Sequence, residues 1–174
     1  RGSEIWRRYV RPEAIQQKMM GYCLTGEIVE TGSLVDSFSI VDKVAAVAPH
    51  SEYVSVDTAD KKLTPSIVKL PDKVDLIEGI FWPLSTSAVL WIDEISKLVP
   101  IQDQILTIIG QGLVGSLIMQ VALTRKPKKI IAVDTLDFRC KLATKLGAKF
   151  VINSSKNSLN DHLDKITESK KSNV

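Results

Sequence analysis

The stretch from residue 105 to 134 constrains this chain more than any other. The apolar run Ile105-Leu106-Thr107-Ile108-Ile109 leads into Gly110-Gln111-Gly112-Leu113-Val114-Gly115, and a helix-length segment, 112–125, follows. A second β-type run, 130–133, ends in Asp134, 24 positions after the first glycine. A strand, a G-x-G-x-x-G turn opening a helix, and an acid closing the next strand are the parts of a dinucleotide-binding unit. The chemistry uses each part. Gly110 permits the tight turn out of the strand, Gly112 lets a pyrophosphate approach the backbone, and Gly115 lets the helix lie close to the sheet. The helix start at Leu113 and Val114 offers N–H groups and a partial positive charge to phosphates. Asp134 can accept hydrogen bonds from adenosine ribose hydroxyls and repels a 2′-phosphate, which favours NAD over NADP. Arg139, five residues on, brings a cation that can accommodate that phosphate and leaves NADP open.

The same residues admit a second reading. The span 105–123 holds no charge for nineteen residues and is followed by Arg125-Lys126-Pro127-Lys128-Lys129, the length and flank of a membrane-spanning helix. That reading puts Gly110, Gln111, Gly112 and Gln120 inside the bilayer and leaves the β-type run 130–134 without a role. A strand and helix buried in an α/β layer explain the missing charges equally well.

Beyond Asp134 the pattern continues with a helix at 137–146 stopped by Gly147, a third β-type run Phe150–Asn153, and a polar tail in which Leu159, Leu163 and Ile166 line one helical face. The order β-α-β-α-β predicts a parallel sheet with right-handed crossovers. The first half has another rhythm, with short β-type runs at 27–30, 44–47, 53–56 and 67–70 between turn-forming residues, then helical segments at 74–79 and 85–98. Apolar residues make up 44% and charged residues 25%, the make-up of a globular chain rather than a disordered one. With 23 basic and 20 acidic side chains the net charge of +3 gives no case for nucleic acid. Cys23 and Cys140 lie far apart without a Cys-x-x-Cys spacing, as expected of reduced thiols in a cytoplasmic protein.

These residues resemble a medium-chain dehydrogenase/reductase. The segment 105–153 is similar to that family's cofactor half, including the Lys145-Leu146-Gly147-Ala148-Lys149 turn. Gly21-Tyr22-Cys23-Leu24-Thr25-Gly26-Glu27-Ile28-Val29-Glu30 resembles its glycine-rich G-H-E-x-x-G-x-V segment, and Asp42-Lys43-Val44, Pro49-His50-Ser51-Glu52-Tyr53-Val54 and Val68-Lys69-Leu70-Pro71 follow in family order. The resemblance implies an α/β chain made of a partial catalytic, chaperonin-10-like β domain over 1–84 and a partial Rossmann NAD(P)-binding domain over 85–174. It implies a piece of a longer chain, truncated at both ends. It also implies a small-molecule substrate and leaves room for a homodimer. No membrane or nucleic-acid partner is expected.

The departures from the family pattern concern zinc. Arg1, Tyr22 and Trp82 stand where zinc-type members place their three catalytic ligands, and none is a zinc-binding side chain. No zinc is therefore expected. Arg1-Gly2-Ser3-Glu4 resembles zinc-free members. Val41 and Gln102 replace family loop glycines that usually permit φ > 0, which implies either backbone strain in a weakly constrained chain or turns that fold differently. Two candidates for catalysis come from position alone: Thr86, which matches a hydroxyl near the nicotinamide or else a helix N-cap, and Tyr22, which can donate a proton or simply pack. His50 is a turn histidine expected to be structural or solvated. The expected activity is zinc-independent, NAD(P)-dependent hydride transfer to or from a carbonyl/alcohol or enone. The alternative is a truncated, non-catalytic paralogue that binds nucleotide weakly or serves as an interaction subunit.

Overall fold

The charge-free run at 105–123 divides into a strand and a helix, and no helix among the described residues is long and apolar enough to cross a membrane. The computed structural model describes residues 21–59 and 65–168. Two units separate between Pro83 and Leu84.

In the first unit, β1 (Leu24–Glu27), β2 (Lys43–Ala46) and β3 (Ile67–Lys69) form an antiparallel sheet in that order. β2 is central, and Val44, Ala45 and Ala46 are buried. The short helix α1 (Leu76–Gly79) is capped by Asp75, whose carboxylate accepts from the Glu78 N–H at 2.7 Å. It lies so close to the sheet that a Cβ on Gly79 would stand 2.6 Å from Leu70.

Two strand expectations fail in this unit. β1 begins and ends three residues earlier than 27–30, because the hairpin register pairs Leu24 with Ala46 and Glu27 with Lys43. Gly26 hides that strand from a reading of β propensity. The segment 53–56 forms no strand; Tyr53 is exposed and no ladder among the described residues pairs with it.

In the second unit, α2 (Trp82–Leu98) starts three residues before the expected 85, since Pro83 fits a helix's first turn. The rest follows the pattern closely: β4 (Ile105–Ile109), α3 (Leu113–Thr124), β5 (Lys129–Asp134), α4 (Asp137–Lys145), β6 (Phe150–Asn153) and α5 (Leu159–Thr167). The sheet is parallel in the order β4-β5-β6. Side chains alternate between its faces. Leu106, Ile130 and Ala132 pack with Ile92 of α2, Met119 and Ala122 of α3 and Ala143 of α4. Ile105, Ile131, Val133 and Ile152 pack with Leu159, Leu163 and Ile166 of α5. Burial on both faces is why β4 and β5 read as continuous apolar runs. Lys129 fastens α5 by donating to the Ile166 carbonyl at 2.7 Å. The antiparallel and parallel sheets are the partial chaperonin-10-like and partial Rossmann architectures of the expected α/β fold.

Gly147 adopts φ 109° and stops α4 as expected. Val41 adopts φ 67°, so the first of these turns keeps its left-handed backbone without the glycine. At the second site the left-handed residue is Asp103 (φ 62°) and not Gln102, because the Asp103 N–H turns to the Lys126 carbonyl. Left-handed backbone at a β-branched residue costs roughly 1–2 kcal/mol. Val41 is exposed, so little burial opposes its removal. Val41→Gly is expected to raise the stability by about 1 kcal/mol, read as a Tm about 2–4 °C higher. A lower Tm would show that the valine side chain contributes more than its backbone strain costs.

Candidate functional site

The ends of β4 and β5 and the start of α3 meet at the glycine turn. Gly110 leaves β4 with φ 90°, while its N–H still reaches the Val133 carbonyl at 2.7 Å. A Cβ there would meet nothing within 4 Å, so its backbone angle, not space, requires glycine. At Gly115 the reason is space: a Cβ would stand 1.8 Å from the Gly110 carbonyl oxygen.

Gly112 is different again. It precedes α3 in ordinary extended backbone (φ −72°), offers no capping side chain, and would place a Cβ near only the Arg139 guanidinium, at 4.0 Å. The first intrahelical N–H bond runs from Ser116 to the Gly112 carbonyl. The N–H groups of Leu113, Val114 and Gly115 precede that bond and have no intrahelical acceptor. No acidic side chain lies in that turn. This is the chemistry of an anion-binding helix start.

Asp134 closes β5 with its side chain only 4% exposed. One carboxylate oxygen accepts from the Gln111 N–H at 2.7 Å and the other from the Leu136 N–H at 2.9 Å. The Arg139 guanidinium stands 3.6 Å from it. Burial alone would push this carboxyl up. The Leu136 and Gln111 N–H groups, then Arg139 and the Thr135 N–H, outweigh burial and hold it below the usual range.

Around the same strand ends, Asp137 pairs with Lys156 and accepts from Asn153 at 2.6 Å. Lys156 foremost, then Asn153, lowers its pKa. Cys140 lies beside the Asp134 and Ile152 carbonyls, and burial, then the Asp134 charge, pushes its thiol up. That favours the inert thiol over a nucleophile.

The glycine turn thus gathers Gly110, Gly112, Leu113, Val114, Gly115, Asp134 and Arg139 in one place. The two catalytic candidates are in different units. Thr86 is half-buried inside α2, four residues past its first residue, so the N-cap alternative does not apply. Tyr22 is half-buried in the first unit, where the exposed His50 ring covers Gly21. Trp82 opens α2; Arg1 lies outside the described residues. Among the described residues no group of three metal-ligating side chains comes together. Sequence reasoning passed over Gln111, which is 1% exposed. Its signal was a polar side chain between two glycines, at a point where the chain turns inward.

No protein-family model matches the chain. It is 29% identical to mouse quinone oxidoreductase-like protein 2 over 86% of its own length and 42% of that protein's. To D-guloside 3-dehydrogenase of Escherichia coli it is 24% identical, over 77% of the chain and 37% of the relative. Among solved structures, Escherichia coli quinone oxidoreductase in complex with NADPH aligns with a TM-score of 0.74 at 20% identity, over 99% of this chain and 52% of that one. Galactitol-1-phosphate dehydrogenase from Escherichia coli aligns with 0.74 at 21%, over 98% and 55%. The relatives and neighbours are medium-chain dehydrogenases/reductases. The chain spans less than half the length of these curated relatives.

Two variants separate the roles of the glycines. Gly115→Ala is expected to cost about 1–3 kcal/mol or more, because backbone must move, whereas Gly112→Ala should stay within about 0.5 kcal/mol of wild type. Thermal melts followed by circular dichroism compare them; equal losses would refute the steric assignment. Asp134 also predicts an acid limb. Its folded pKa lies below the unfolded value near 4, so its contribution is complete above that value. It is lost as pH falls through the folded pKa. Urea midpoints against pH should fall less steeply below about pH 4 in Asp134→Asn.

Proposed function

We propose that the chain is the cofactor-binding portion, with part of the substrate-binding portion, of a zinc-independent NAD(P)-dependent oxidoreductase. The observation that carries this reading is the open backbone at Gly112, beside free helix-start N–H groups and a buried, ionised Asp134. The residues fit the group: Gly110, Gly112 and Gly115 shape the turn, Leu113 and Val114 N–H groups face the pyrophosphate, and Asp134 takes the adenosine ribose. NAD is the favoured cofactor. Arg139 offsets the Asp134 charge and extends the site to NADP.

When bound, the nicotinamide supplies the hydride acceptor or donor for a carbonyl/alcohol or enone. The protein binds and orients it. Zinc independence is supported by the side chains at the family's ligand places, since Arg1, Tyr22 and Trp82 offer no thiolate, imidazole or carboxylate. Tyr22 and Thr86 are the candidates for proton donation and nicotinamide contact. Cys23 and Cys140 stand far apart without a Cys-x-x-Cys spacing, which suits a cytoplasmic setting.

Titrating the 174-residue chain with NADH and with NADPH, by nucleotide fluorescence, tests this reading. Saturable binding is expected, weakened about tenfold or more in Asp134→Ala through loss of a charge-assisted hydrogen bond. Arg139→Ala should weaken NADPH more than NADH. A folded chain that binds neither nucleotide would sink the cofactor reading and favour the non-catalytic paralogue.

A further inference from the structure

The outer edge of β4 carries no strand among the described residues, since β4 pairs only with β5. The Gly110 N–H donates to the Val133 carbonyl, and the Gln104 carbonyl accepts from the Lys128 N–H. Backbone groups alternate sides along a strand. Positions 104, 106, 108 and 110 therefore serve β5, while 105, 107 and 109 turn their backbone groups to the outer edge. The strand is Ile105-Leu106-Thr107-Ile108-Ile109, with no proline, glycine or charge to discourage another strand. Ile109 is 75% exposed.

The helix over this edge exposes apolar side chains on the same side. α3 lies over β4 and β5, and α4 over β5 and β6. α2 packs on that face through Ile92, so it lies over the outer side of β4. Asp93 of α2 reaches Arg125, just past the end of α3, at 2.7 Å. Trp91 and Leu98 stand roughly 140–160° around the helix from Asp93, away from α3 and beyond the β4 edge. They are 48% and 85% exposed.

We propose that a second copy of this chain docks on this surface, β4 against β4 and α2 against α2. A closed pair of identical chains has a twofold axis. A parallel ladder sets each bonding residue opposite a non-bonding one, which a twofold between two identical edges forbids; an antiparallel ladder sets bonding residues opposite each other. The outward set is centred on Thr107, so antiparallel pairing about Thr107 is self-complementary. Thr107 exchanges two backbone bonds with Thr107 of the second copy, and Ile109 lies opposite position 105. The short link 99–104 makes α2 run back along β4. At a rise of about 1.5 Å per helical residue and 3.3 Å per strand residue, the stretch 91–98 lies over the middle of β4. The same axis therefore lays the two α2 helices side by side, with Trp91 against Leu98 of the second copy. Glu94, paired with Lys97 in its own chain, comes near Lys97 of the second copy, so opposite charges meet across the seam. The two parallel sheets become one of six strands. This inference is independent of the cofactor reading.

Sedimentation velocity of the 174-residue chain over a concentration series tests it. A reversible dimer that grows no further is expected. Thr107→Pro removes an outward N–H and spares the ladder with β5, as an edge position allows. Leu98→Lys changes a side chain that is 85% exposed in the single chain. Each should weaken the dimer Kd about tenfold or more while circular dichroism keeps the wild-type spectrum. If Thr107→Pro fails to fold, Leu98→Lys carries the test alone. A wild-type monomer at every concentration overturns the inference and leaves the β4 edge to a strand of a longer chain. Assembly past two copies overturns the twofold pairing, and a dimer that a folded variant leaves unchanged overturns the assigned surface.

Discussion

The bond from the Gln111 N–H to the Asp134 carboxylate holds the functional end of the second unit together. It joins the turn that leaves β4 to the last residue of β5, 23 positions away. Because it is made to a charged acceptor in a buried setting, it is stronger than an ordinary amide bond. It commits one N–H of the glycine loop to Asp134, while those of Leu113, Val114 and Gly115 have no intrahelical acceptor. It also fixes a carboxylate beside an anion-binding helix start, a combination that would repel phosphate but for Arg139. The guanidinium stands 3.6 Å from Asp134 and 4.0 Å from the place a Gly112 side chain would occupy. An acidic side chain and a cation at a helix start thus occupy one small surface, the arrangement the proposed cofactor reading would use.

The three glycines meet three separate demands. Gly110 supplies a backbone angle, Gly115 supplies contact between helix and strand, and Gly112 supplies access. Only the last would serve the proposed ligand. The first two would be required of any strand-to-helix turn this tight, which is why the pattern alone is weak evidence for a cofactor and the open surface at Gly112 is stronger.

The second unit was largely legible because its signals are local and strong. Apolar runs buried on both faces give β4, β5 and β6; Gly147 stops α4; and Leu159, Leu163 and Ile166 mark the face of α5 that meets the sheet. The first unit was less legible because register there is set by pairing across long connections. Nothing in Leu24-Thr25-Gly26-Glu27 announces a strand until Lys43–Ala46 lies beside it, and Tyr53-Val54-Ser55-Val56 has the composition of a strand without a partner. In the candidate site, Asp134 and the glycines could be read from spacing, but the inward Gln111 side chain could not. Its burial follows from the turn's three-dimensional path, which also put the left-handed residue at Asp103 rather than at Gln102.

Parallel pairing has a kinetic consequence. Neighbouring strands β4 and β5 cannot close through a hairpin; α3 must form and cross over before Ile105 can meet Lys129. Both inward bonds of the glycine turn, from Gly110 to Val133 and from Gln111 to Asp134, end on the far side of that crossover. The turn thus has no fixed shape while only the first strand and helix have been synthesised. It sets when β5 docks, and loop closure rather than local glycine propensity governs when it appears.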